Sequence, residues 1–119
     1  MNKKWTMSLA ASLALLAAPA AQAEQAITTA EMLQYCEGTN GSFVTCEIYG
    51  QAVYDTYLVI AATGQALKTI CVKQPAPSRT EVIEQYVQWV KNKPNAANEP
   101  AAQTMLQFLT RRFPCQPSR

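Results

Sequence analysis

Histidine is absent from this chain of 119 residues. A Ser-His-Asp or Cys-His catalytic site therefore cannot be built, and a principal zinc ligand is missing. Charged residues make up 15% of the chain, a low share for a protein, whereas the apolar share of 49% is ordinary for a globular one. The composition therefore disfavours disorder, and the length allows one small domain at most.

The first 23 residues have the three parts of a secretory signal peptide. Lys3 and Lys4 precede a largely apolar run over residues 5–18, and Ala21-Gln22-Ala23 is a small-x-small cleavage site. The run is shorter than the roughly 20 residues that span a bilayer comfortably. We expect cleavage after Ala23, which leaves residues 24–119 as an exported domain without a membrane segment. An uncleaved anchor is the alternative.

The mature domain is electrically balanced. Because Lys3 and Lys4 are two of the ten basic residues, eight remain against eight acidic ones. The one basic cluster is Arg111 and Arg112, with Arg119 nearby. A domain without a broad positive field is a poor ligand for phosphate backbones, so nucleic-acid binding is not expected.

Four cysteines follow the leader: Cys36, Cys46, Cys71 and Cys115. An even count after an export signal favours two disulfides. Three pairings exist, and spacing alone does not choose among them. Cys36 and Cys46 flank a short Gly/Asn/Ser turn, whereas the other two adjoin the ends of predicted segments, so we favour Cys36 with Cys46 and Cys71 with Cys115. The rival metal site lacks both a CxxC pair and histidine.

The first half of the mature domain predicts two helices. Thr28 and Glu31 match a capping box that starts a short helix ending near Cys36. Residues 37–42 have the composition of a turn, with Ser42 as the next N-cap. The second helix is predicted from residue 43 to about residue 62, since apolar residues recur every three or four positions. They are Cys46, Tyr49, Val53, Tyr57 and Ile60.

Residues 57–60 are also prone to form a β-strand, so a buried strand is the alternative over that stretch. Gly64 offers a helix stop and no partner strand is evident nearby, which favours the helix. Ser78 and Glu81 repeat the capping box and predict a third helix, which Pro94 ends. Its apolar stripe is Val82, Ile83, Tyr86, Val87 and Val90.

Asn98 is a candidate N-cap for a fourth helix, with Pro100 in its first turn and Pro114 at its close. Its apolar stripe is Ala102, Met105, Leu106, Leu109 and Phe113. Helices three and four should form an antiparallel hairpin on helix two. The predicted fold is all-α: a small disulfide-stapled bundle of about four helices.

No pattern indicates an enzyme. Glu81 and Glu84 share a helix face, as do Glu47 and Asp55, but solvated side chains or salt bridges explain both pairs better than catalysis does. Five aromatic residues at helical spacing are more typical of a core than of a ligand cage: Tyr49, Tyr54, Tyr57, Tyr86 and Trp89. Phosphate loops, dinucleotide fingerprints and calcium loops are absent. We expect no catalytic residues, cofactor or metal, and a function that lies in the surface.

A series of short motifs resembles the Rap/Tai immunity family of type VI secretion systems over nearly the whole mature chain. The motifs are Met32-Leu33-x-x-Cys36, Cys46-Glu47-x-Tyr49-Gly50-x-Ala52-x-x-Asp55, Cys71-Val72, Lys91-Asn92-Lys93-Pro94 and Arg112-Phe113-Pro114-Cys115. The chain departs from the family pattern in the position of the glycine after the second cysteine. It also lacks the proline common two residues after the third.

The resemblance implies a periplasmic helical protein, commonly a homodimer, that binds a peptidoglycan amidase effector from neighbouring cells and blocks its active-site cleft. In such proteins, a loop between two helices resembles a plug for this cleft. By position, that partner-binding role falls on Lys91, Asn92, Lys93, Asn95, Asn98 and Glu99. The alternative for these residues is a solvated helix connection.

A small periplasmic acid-stress chaperone is the hypothesis from a different class. Such a protein would also be helical, exported and stapled by disulfides. The chain lacks long charged tails, and its few carboxylates give a weak acid switch. Suppression of the light scattering of a denatured client at low pH would favour the chaperone.

Overall fold

The computed structural model describes residues 24–38 and 43–116. Within these residues the chain forms four α-helices and a short 3-10 turn, with no strand. The elements in chain order are α1 (Thr29–Cys36), α2 (Phe43–Ala62), α3 (Arg79–Lys91), the 3-10 turn (Ala96–Asn98) and α4 (Ala101–Arg112). The predicted all-α class is confirmed, and residues 57–60 are helical. The predicted leader of residues 1–23 and the N-cap at Ser42 lie outside the described residues.

Local hydrogen bonds start α1 and α3 where the sequence predicts. The Glu31 backbone N–H donates to Thr28 Oγ1 at 3.2 Å, and the Thr28 N–H donates to Glu31 Oε2 at 2.7 Å, which completes the predicted capping box. At α3, the Glu81 N–H donates to Ser78 Oγ at 3.1 Å, but the Glu81 side chain accepts from Gln85 Nε2, so only this half of the predicted capping box forms. Each cap satisfies a backbone donor that the helix leaves open, and a cap of this kind contributes about 1 kcal/mol.

The predicted start of α4 is wrong. Asn98 ends the 3-10 turn and does not cap α4, and Pro100 stands before the first helical residue in extended backbone. Pro100 pairs with Thr28 in an antiparallel bridge, and the Ala101 N–H donates to the Ile27 carbonyl at 2.9 Å. The N-terminal segment thus satisfies the donor for which the sequence suggested an asparagine cap.

The core lies among all four helices, since α3 and α4 contact each other and both contact α2 and α1. Its largest fully buried side chains include Tyr86 and Met32. Helix α2 approaches α3 closely at Gly50, where an added Cβ would lie 2.8 Å from Ile83 Cδ1. The remaining buried apolar residues are Cys36, Cys46, Tyr57, Ile70, Val87, Val90, Ala96, Ala101, Met105, Phe108, Leu109 and Phe113.

Two disulfides close the structure in the pairing that we favoured. Cys36–Cys46 joins the end of α1 to α2 across 10 residues, with Cα atoms 5.0 Å apart. Cys71–Cys115 joins the segment before α3 to the chain beyond α4 across 44 residues, with Cα atoms 4.8 Å apart. Beside it, the Cys71 N–H donates to the Phe113 carbonyl at 2.8 Å. The second bridge therefore ties the two ends of the α3–α4 unit together.

Candidate functional site

The six residues assigned to partner binding lie in one continuous connection, which we call the 91–99 bend. It runs from the last residue of α3, through the 3-10 turn, to the residue before Pro100. Internal contacts hold its shape. Ala96 is buried, and the Glu99 carbonyl accepts hydrogen bonds from both the N–H and the Oγ1 of Thr29, each at 2.9 Å. The bend is therefore anchored to α1.

The three asparagines among the assigned residues present their side chains to solvent. Asn92, Asn95 and Asn98 are all exposed. Asn92 is the C-cap residue that follows α3, and it donates from Nδ2 to the Gln88 carbonyl at 2.9 Å. Asn95 has φ 70°, a left-handed conformation that asparagine tolerates better than most residues with a Cβ. The bend therefore offers exposed amides on a backbone with a defined conformation.

The two lysines are engaged by neighbouring side chains. Lys91 Nζ lies 2.6 Å from Glu37 Oε1, so this ion pair links the end of α3 to the end of α1. Lys93 Nζ lies 4.2 Å from the centre of the Trp89 ring in a cation–π contact, and it donates to Gln107 Oε1 at 3.4 Å. Both cations therefore help to brace the bend.

Glu99 differs from the other five. Its side chain is half-buried, as is that of Lys93, but its Oε2 atom is inaccessible to solvent and has no hydrogen-bond partner among the described residues. Its carbonyl is occupied by Thr29. The structure thus places Glu99 at the base of the bend, with less of its side chain available than the asparagines have.

A buried hydroxyl network lies beneath the bend, and sequence analysis missed it. Tyr86 Oη lies 2.8 Å from Thr104 Oγ1, which lies 2.9 Å from Thr29 Oγ1. Thr29 Oγ1 in turn donates to the Glu99 carbonyl at 2.9 Å. Burial raises the pKa of Tyr86, so the phenol stays protonated. The available signal was the polar Thr104, which lies on the core-facing side of α4 between Ala101 and Phe108.

The carboxylates of the predicted acidic pairs have separate hydrogen-bond partners or lie exposed to solvent. Glu47 accepts from Thr80 Oγ1 at 2.6 Å, whereas Asp55 accepts from Gln51 Nε2 at 2.8 Å, so each carboxylate has its own polar partner. Glu81 and Glu84 are exposed. Of the five aromatic residues, Tyr57 and Tyr86 are buried, while three are half-buried. These are Tyr49, Tyr54 and Trp89.

A cavity of about 170 Å³ lies between α2, α3, α4 and the segment before α3. Its walls are mainly apolar and include Val72, Ile83 and Phe113, while Glu47 and Arg79 also line it. No cluster of three or more potential metal-ligating side chains occurs among residues 24–38 and 43–116. The surface of the described residues thus includes an apolar cavity and, at the 91–99 bend, exposed side-chain amides.

None of the helices in the described part of the chain has the length and apolar character needed to cross a membrane. Comparison with known proteins gave a match to the family model of Rap1a immunity proteins over residues 11–115. No match was found among curated proteins or solved structures. Since the family match spans most of the sequence and includes all four cysteines, the chain belongs to the Rap1a immunity protein family.

Proposed function

We propose that this protein is a periplasmic immunity protein that binds a peptidoglycan amidase effector of a type VI secretion system and blocks its active-site cleft. Cleavage after Ala23 releases residues 24–119 as the mature domain, which acts as a homodimer. Membership of the immunity family carries the proposal. The two disulfides support export, because such bonds persist in oxidising compartments. The protein acts by binding and has no catalytic residue, metal or cofactor.

The 91–99 bend is the proposed inhibitory element. Its exposed amides at Asn92, Asn95 and Asn98 offer both hydrogen-bond donors and acceptors to an enzyme cleft. The Lys91–Glu37 ion pair and the contact of Lys93 with Trp89 hold the bend before the effector arrives. An element that is already ordered loses less conformational entropy on binding than a flexible loop does.

Glu99 supports the bend from its base. It is the last of the six residues that we assign to effector binding. Because the Glu99 carbonyl is bonded to Thr29, its backbone position is set by α1. Its Oε2 atom is enclosed, so a contact with the effector falls to the exposed part of this half-buried side chain. This role is subordinate to that of the three asparagines, whose amides already face solvent.

The test is a binding and protection experiment with the products of the neighbouring genes, scored for an amidase. We expect the unmodified protein to protect cells from the periplasmic effector and to inhibit its hydrolysis of peptidoglycan. Replacing Asn92 and Lys93 together with alanine should weaken the complex at least tenfold. Gln103→Ala, an exposed change on α4 outside the bend, is the matched control and should have no effect.

Two outcomes would contradict the proposal at different levels. Failure to protect against every co-encoded periplasmic toxin would overturn the immunity function. Protection that survives the paired change at Asn92 and Lys93 with unaltered affinity would leave the function intact and place the interface elsewhere. Thermal melting of each variant separates a lost contact from a lost fold.

A further inference from the structure

Helix α2 carries apolar side chains on the side that faces away from the core. Val44 is 54% exposed, Ile48 59%, Leu58 44% and Val59 63%. The core-facing side of the same helix holds Cys46 and Tyr57, both buried. The core therefore covers one apolar stripe of α2, and a second apolar stripe of the same helix, the open stripe, is exposed to solvent.

The open stripe has the spacing of a coiled-coil seam. Six residues follow one another at alternating intervals of four and three, which is a heptad repeat. They are Val44, Ile48, Gln51, Asp55, Leu58 and Ala62. Gln51 is half-buried and lines the cavity, and the other five are exposed. Asp55 is the only charged member, and Gln51 donates to it from Nε2 at 2.8 Å. The stripe is thus apolar at both ends, with one polar pair in the middle.

This order is self-complementary when two copies of α2 run antiparallel. With residue 53 at the level of a twofold axis, Ile48 meets Leu58 of the second copy, and Val44 meets Ala62. Gln51 then lies opposite Asp55 of the second copy, so the amide can donate to the carboxylate across the axis. A polar pair in an otherwise apolar seam sets its register. Sliding the helices by one heptad would place Asp55 against Leu58 or Val44 of the second copy.

We propose that the second copy of this chain is the occupant of this stripe, through an antiparallel α2–α2 contact with twofold symmetry. The inference rests on the paired state included in the proposed function, and it adds the surface and the register. Twenty residues of helix are about 30 Å long, so a contact confined to α2 falls at the small end of specific interfaces. The dimer should therefore dissociate on dilution in the micromolar range.

Sedimentation of the protein recovered from the periplasm over a concentration series tests the surface. We expect a reversible dimer, and Ile48→Lys should shift its dissociation constant upward at least a hundredfold because the lysine would meet Leu58. Leu67→Lys is the matched control, since Leu67 is 84% exposed but lies beyond α2, and it should leave association unchanged. Both positions are exposed, so each variant should keep its helical content.

Gln51 gives a second test with the smallest chemical change. In the dimer, Gln51 of each copy faces Asp55 of the other copy. Gln51→Glu would therefore set two carboxylates against each other at both of these contacts, and should weaken the dimer at least tenfold. Gln103→Glu adds the same charge on α4 and should not change association. A dimer that resists both Ile48→Lys and Gln51→Glu would overturn the proposed surface while leaving the paired state in place. A chain that remains monomeric at millimolar concentration would overturn both, and neither result bears on inhibition of the effector.

Oxidative cross-linking tests the orientation. In the antiparallel register Ala52 lies beside its own counterpart near the axis, whereas the two Val44 residues are about 27 Å apart along the helices. Ala52→Cys should therefore form a dimer linked by one disulfide, and Val44→Cys should not. Cross-linking at both positions would indicate parallel helices, and cross-linking at neither would remove the contact; either result contradicts the proposal. Peptide mapping verifies that the two native bridges are retained.

Discussion

The hydroxyl of Tyr86 lies 2.8 Å from Thr104 Oγ1, and both residues are buried. Thr104 also lies 2.9 Å from Thr29 Oγ1, which donates to the carbonyl of Glu99. The contact therefore connects α3, α4 and α1 to the base of the 91–99 bend. Buried hydroxyls that satisfy one another stabilise a single packing arrangement, because each would be costly if left alone.

Removing one member of this network should destabilise the fold. Tyr86→Phe should lower the free energy of unfolding by about 1 to 2 kcal/mol, and Thr104→Val by about 1 to 3 kcal/mol because it leaves Tyr86 and Thr29 without their shared partner. Urea denaturation of both single variants and the double variant measures the coupling. We expect the double variant to lose less free energy of unfolding than the two single variants lose together. Tyr54→Phe is the control, and strict additivity would show that the hydroxyls act independently.

The two disulfides should differ in their contribution. A bridge restricts the unfolded chain more when it closes a longer loop, so Cys71–Cys115, with its separation of 44 residues, should stabilise more than Cys36–Cys46, with 10. On chain entropy alone the values are about 4 and about 3 kcal/mol. Replacing each pair by alanine and comparing the free energies of unfolding tests the order. A larger loss for the shorter loop would show that packing around Cys46, which is fully buried, outweighs loop length.

The starts of α1 and α3 and the Cys36–Cys46 bridge were predictable because their signals are local, and Cys71–Cys115 is the pair that remains. Capping at Thr28 and Ser78 depends on residues three positions away, and Cys36 and Cys46 are 10 residues apart in the sequence. The start of α4 was not predictable from local signals. Its first N–H is satisfied by Ile27, more than seventy residues earlier, so the suggestive Asn98 was not needed as a cap.

The partner-binding role of the 91–99 bend stays a prediction, which came from the family resemblance by position. The sequence showed a polar, proline-containing connection between two helices, but the contacts that brace this connection involve distant residues. Glu37 pairs with Lys91 from α1, and Thr29 binds the Glu99 carbonyl. The open stripe of α2 was also missed, because periodicity locates apolar positions without showing which of two stripes the core will cover.

The stability of α1 should depend on pH through Glu31. The backbone N–H and the hydroxyl of Thr28 donate to its carboxylate and hold the pKa of Glu31 below its ordinary value of 4.5. A carboxyl whose pKa is lower in the folded state contributes stability above the unfolded pKa, and loses that contribution as the pH falls through the folded pKa.

Glu31→Gln should therefore lower the melting temperature at neutral pH, with little difference from the unmodified protein in strong acid. Melting curves on both sides of pH 4.5 measure this. Glu84→Gln on the exposed side of α3 is the control and should show no such convergence. A constant difference at every pH would mean that Glu31 stabilises α1 through packing and not through its charge.

Two variants of Asn95 distinguish the role of the backbone conformation of the bend from the role of its side-chain amide. Its φ of 70° is open to glycine without cost, whereas alanine in the left-handed region costs about 1 to 2 kcal/mol. Asn95→Ala should therefore lower the free energy of unfolding by about 1 kcal/mol, while Asn95→Gly should lower it less, and chemical denaturation measures both. Both variants remove the same exposed amide, so Asn95→Gly should still weaken effector binding despite the retained backbone conformation. Full affinity of Asn95→Gly together with weakened binding of Asn95→Ala would show that the effector recognises the backbone path and not the amide.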